Sequence, residues 1–96
     1  MEKFERGDTI RVLATFKDLE GNLVDPTTPK YSVYYPDGNI YLSDQDLTRI
    51  SIGEYYADIP TSLDADIGYW EIEVYGYYSA NRILNRDRVM MVEVRD

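Results

Sequence analysis

Segment after segment of this chain alternates polar and apolar side chains with a period of two, and no window reads convincingly as a helix. In "TIRVLATF", Ile10, Val12, Ala14 and Phe16 fall on one face, with Arg11, Leu13 and Thr15 on the other. Successive strand residues point to opposite sides of a sheet, so this is the pattern of a strand with one buried face. The same phase groups Tyr31, Val33 and Tyr35, and then Tyr55, Ala57 and Ile59. In "YWEIEVYG" it sets Trp70, Ile72 and Val74 inward against Tyr69, Glu71, Glu73 and Tyr75. "RVMMVEV" closes the series and adds Val92 to the expected core.

Turn residues separate these runs. Asp18, Gly21 and Asn22 in "KDLEGN" suit a tight reversal, because Gly and Asn tolerate positive φ and Asp bonds nearby backbone. Pro26 and Pro29 delay the next strand to about Lys30, since proline cannot donate to a ladder. "PDGN" at 36–39 predicts a hairpin with "IYLS" as its return strand, followed by "DQD" as a polar link. A further hairpin turns at Gly53, with Leu47, Thr48 and Ile50 leading in, and Pro60 ends it. "TSLDADIG" is a loop or a single helical turn. The result is about seven short strands at roughly 10-residue spacing, which predicts an all-β antiparallel sandwich, with a small closed barrel as the alternative. At 96 residues without a repeat or linker, the chain is expected to be one domain over 1–96.

Four stretches together, "GDTIRVLATFKDLEGNLVDP", "YYPDGN", "GEYYADIP" and "GYWEIEVYG", resemble the Ig-like β-sandwich modules of bacterial surface proteins. More closely, they resemble the small stand-alone Ig-like proteins of tailed bacteriophages and prophages. The resemblance covers nearly the whole chain, and its motifs are structural. It implies an Ig-like fold, a core position for Trp70, and for Tyr55 the role of a tyrosine corner, whose phenol bonds back to nearby backbone. It also implies a virion-associated protein. The cysteine pair of antibody domains is missing.

Composition removes many chemistries. The chain has no His and no Cys, which excludes the commonest general base, the thiol nucleophile, disulfides and thiolate zinc sites. Glu54, Asp58, Asp64 and Asp66 have no spacing that fixes two carboxyls across a cleft, so no enzyme and no cofactor is expected. The pairs Asp44/Asp46 and Asp64/Asp66 fall far short of a calcium loop and read as turn residues. A net charge of −8 repels the phosphate backbone, so nucleic acid is not an expected partner, and no apolar run is long enough to span a membrane. "MEKFERGD" lacks the apolar stretch of a signal peptide, which predicts a chain made in the host cytoplasm or assembled from there into a virion. A domain excised from a longer surface protein is the other expectation.

Ten tyrosines against one Trp and two Phe are the anomaly. Tyr34, Tyr41, Tyr56, Tyr69 and Tyr75 fall in the outward phase, and Tyr77 and Tyr78 lie in "VYGYYSANRILNRDR", read as the hairpin joining the last two strands. If "RIL" already belongs to the last strand, the loop shrinks to "GYYSAN". Exposed Tyr beside Arg and Asn is the composition of protein-binding surfaces. Tyr75, Tyr77, Tyr78, Asn81, Arg82 and Arg86 are therefore the candidate contact residues for a protein partner or for self-association. Carbohydrate is the alternative ligand, stacked on the outward rings.

Overall fold

The computed structural model describes residues 2–93. Eight strands form two sheets: β1 (Glu2–Glu5), β2 (Thr9–Thr15), β3 (Thr27–Tyr34), β4 (Ile40–Asp46), β5 (Thr48–Ser51), β6 (Glu54–Pro60), β7 (Gly68–Tyr78) and β8 (Asn81–Val92). The five-stranded sheet runs β1-β8-β7-β3-β4 and the three-stranded sheet β2-β6-β5. All pairs are antiparallel except β1 with β8. This is the Ig arrangement, with β2, β6 and β5 as strands B, E and D facing β3, β7 and β8 as C, F and G. The two sheets remain open at their edges, so the barrel alternative is excluded.

The sheets close over Trp70, Phe16, Ile10, Ile59, Met91 and Val33, all essentially without solvent contact. Tyr55, Ala57, Ile72 and Val74 join them, as the alternation requires. Tyr35 and Tyr41 flank the indole, with ring centroids 4.9 and 5.3 Å from it, and the indole Nε1–H donates to the Asp66 carbonyl at 2.7 Å. Offset and edge-on aromatic contacts of this kind add roughly 0.5–1.5 kcal/mol each beyond area burial. The Tyr41 hydroxyl donates to the Pro60 carbonyl at 2.7 Å, joining β4 to the far end of β6.

Several expectations need correction. Val92 is only half-buried, because β8 turns Val89 and Met91 inward and leaves Val92 in the opposite phase. Val12 is also half-buried: β2 is an edge strand, and nothing in its own sheet lies outside it. Tyr41, expected outward, packs on Trp70, because register shifts between β3 and β4 reset the alternation there. The "DQD" link is part of β4, and β3 starts at Thr27. Pro29 is tolerated because the β3–β7 register shifts between Thr27 and Lys30. The first strand, β1, was not foreseen.

Tyr55 does not form a backbone corner. Its hydroxyl donates to Asp25 Oδ1 at 3.0 Å, and the same oxygen accepts the Gly53 N–H at 2.9 Å. The Arg49 guanidinium adds contacts of 3.1–3.3 Å to that carboxylate. Arg49 foremost, and then the Gly53 amide, hold the Asp25 carboxyl below its ordinary value. The knot pins the β5–β6 turn to the segment before β3.

Candidate functional site

The passage expected to be a Tyr- and Arg-rich loop is a two-stranded ribbon. β7 and β8 pair without a break from Gly68↔Met91 to Tyr78↔Asn81, so "RIL" belongs to the strand and only Ser79 and Ala80 remain as the turn. Both adopt positive φ, 50° and 64°, as a two-residue type I′ turn demands. Asn-Gly is the usual solution there. Ser-Ala holds the same shape at a cost of order 1 kcal/mol or more per residue, sustained by the ladder behind it.

Beside this tip stands the β2–β3 connection. Asp18 Oδ1 accepts the amides of Glu20 and Asn22, both at 2.9 Å, and the Asp18 amide donates to the Asn22 carbonyl at 2.9 Å. The turn closes on its own aspartate and leaves Leu19 at the apex, fully exposed. Between the two reversals lies a cleft of about 500 Å³ lined by Lys17, Leu19, Glu20, Tyr78, Arg82 and Ile83, among others. In Ig topology these are the B–C and F–G connections, which share one end of the sandwich.

The candidate contact residues divide between two places. Tyr78, Asn81 and Arg82 line the cleft. Tyr75, Tyr77 and Arg86 belong to the outer face of the five-stranded sheet, in the phase of Glu71 and Glu73. Tyr75 is half-buried with its hydroxyl on Asp44, and Tyr77 is exposed. Arg86 is engaged by Glu73 at 2.9 Å and Glu71 at 3.6 Å, so it is a member of an ion-pair ladder. Arg6, Arg11, Lys30 and Arg49 are also paired with carboxylates, whereas no carboxylate partners Lys17 or Arg82 among the described residues.

Leu19 and Lys17 went unnoticed in the sequence. An apolar residue at the apex of "KDLEGN" was the available signal, since a turn tip has no core to offer it. A second depression, of about 550 Å³, lies on the outer sheet face against Tyr34, Tyr69, Glu71, Glu73, Arg86 and Arg88. Among the described residues no three acidic side chains converge as a metal site would need; Asp46 binds Lys30 at 2.8 Å and Asp64 binds Ser62 at 2.5 Å. Among the described residues no helix is long and apolar enough to cross a membrane. Neither protein-family models nor curated proteins yield a match to this chain.

Proposed function

We propose that this chain is a non-enzymatic interaction module, an Ig-like protein of virion or prophage type, that grips another protein with the loop end of its sandwich. The observation that carries the reading is the cleft between the β2–β3 turn and the β7–β8 tip. There an exposed Leu19 and Tyr78 stand with Lys17 and Arg82, which no carboxylate partners among the described residues. Aromatic and aliphatic anchors with a polar rim are what protein recognition uses, and the strained Ser79–Ala80 backbone is the kind of feature that concentrates at binding sites. The phage and virion part rests on the sequence resemblance alone.

The test is capture from an induced prophage or infected lysate, with light scattering of the purified chain alongside. Wild-type protein retains a defined virion protein, or self-associates. The double variant Leu19→Asp/Tyr78→Ala loses that contact, while Leu63→Asp, at the opposite end, keeps it. A strict monomer that captures nothing, or a capture indifferent to the double variant, overturns the reading.

Carbohydrate is the second reading, favoured by the outer-face depression, where Tyr34 and Tyr69 lie beside Glu71, Glu73 and Arg88. A glycan array that stays silent across cell-wall and capsular sugars, or binding unaffected by Tyr69→Ala, removes it.

A further inference from the structure

The outer edge of β8 is unpaired over most of its length. β1 covers only Val89 to Val92, so residues 81–88 have no strand on their outer edge; of the amides there, that of Arg88 donates to Asp87 Oδ1 at 2.8 Å. At about 3.3 Å per residue this is roughly 26 Å of open ladder. The other edge of the same sheet is blunted. β4 carries two register shifts against β3 and a positive φ of 51° at Asp44, devices that spoil a strand as a template. No shift interrupts the β7–β8 register.

The alternation of β8 divides its side chains by chemistry. Arg82, Arg86 and Arg88 share the outer face, opposite Tyr77, Glu73 and Glu71 of β7. On the inner face Asn85 and Asp87 sit opposite Val74 and Ile72, yet both are exposed. They are exposed because the three-stranded sheet stops at β2. Between the two edges runs a groove of about 360 Å³, with Val12, Ala14, Ile72 and Val74 as its apolar wall.

These features select an occupant. A second β8 laid antiparallel along this edge sets at least one Arg opposite another Arg in every register that keeps like faces together and pairs more than five of residues 81–88. Like charges directly opposed are destabilising. A strand bearing carboxylates on its outer face instead repeats what Glu71 and Glu73 already do from the β7 side. We propose that residues 81–88 accept an extended acidic segment of another protein as a sixth strand, in the manner of β-augmentation. Its carboxylates lie at alternate positions beside the three arginines, and small apolar residues between them cover the groove. This site shares Asn81, Arg82 and Ile83 with the loop-end cleft but runs on from there to Arg88, and it needs neither Leu19 nor Tyr78.

The experiment titrates 15N-labelled protein with a blocked heptapeptide alternating Glu and Val, and with its Lys-Val counterpart, at low salt. Amides of residues 81–88 shift and gain exchange protection with the Glu peptide, which binds about tenfold more tightly than the Lys peptide. Added salt weakens it, Arg82→Glu/Arg88→Glu reverses the preference, and Leu19→Asp/Tyr78→Ala leaves it unchanged. Retained Trp70 fluorescence in each variant verifies folding. Equal response to both peptides, no response, or shifts confined to β2 or the loop end overturn the proposal. Concentration-dependent self-association that the double arginine variant abolishes also overturns it, since the occupant is then another copy.

Discussion

Gly53 offers a quantitative test of how the fold is held. It sits at φ +72°, and a Cβ there would lie 2.9 Å from the Phe16 carbonyl oxygen and 3.0 Å from Leu23 Cβ. That oxygen accepts the Val24 amide at 3.1 Å while the Phe16 amide donates to the Gly53 carbonyl at 2.8 Å, so the neighbour is a fixed backbone group. Gly38 is the matched control, at φ +89° with nothing within 4 Å of an added Cβ. In both, alanine in the left-handed region costs about 1–2 kcal/mol, offset by about 0.4–1 kcal/mol from a stiffer unfolded chain. Gly38→Ala is therefore destabilising by about 0.5–1 kcal/mol. Gly53→Ala adds overpacking of about 1–3 kcal/mol, for a total of about 2–4 kcal/mol. Against a typical stability of about 5–15 kcal/mol this is a large loss. Thermal unfolding followed by the single, buried Trp70 measures both variants in one assay. At about 4–8 °C per kcal/mol, the melting temperatures should differ by roughly 5 °C or more. Equal midpoints for the two variants would refute the backbone-clash argument and leave only the φ cost.

Three further outcomes are expected. Stability is lost at both extremes of pH: the depressed carboxyls of Asp25, Asp58 and Asp64 contribute above about pH 4 and fail as pH falls through their folded values. The Tyr31 and Tyr55 phenols, raised chiefly by burial, contribute below about pH 10 and fail above it; an Asp25→Asn variant shows a shallower acid limb in urea midpoints measured against pH. Met91→Ala, at a fully buried position, destabilises by about 2–5 kcal/mol, and Val92→Ala by much less; equal losses in denaturant melts contradict the phase of β8. Replacing Ser79-Ala80 by Asn-Gly relieves the left-handed strain and raises stability by about 1 kcal/mol in the same melts, whereas a neutral or negative result means the tip is not strained.

Much of the fold was legible because the period of a strand is a local property. Ile10, Phe16, Val33, Trp70, Ile72 and Val74 announce their inward face within a few residues, and all are buried. The errors cluster where a nonlocal event resets the count. A bulge between β3 and β4 turns Tyr41 onto Trp70, and the phase of β8, set by its pairing with β7, takes Val92 out of the core. The binding surface was legible only in part. Tyr78, Asn81 and Arg82 are in the cleft, but Tyr75 and Arg86 have partners on neighbouring strands. Leu19 enters the cleft from 59 residues before Tyr78, a separation that alternation and composition do not report.

By itself, then, the order of residues determined that the chain is built from strands, which way most of their faces turn, and that imidazole and thiol groups are missing, because alternation and composition act at short range. Only the tertiary structure decided that Asp25 gathers Arg49, Gly53 and Tyr55, that two distant reversals make one cleft, and that residues 81–88 of β8 have no strand on their outer edge. Those outcomes depend on which strands lie side by side, and a strand's own pattern says how it is buried without naming what lies against it.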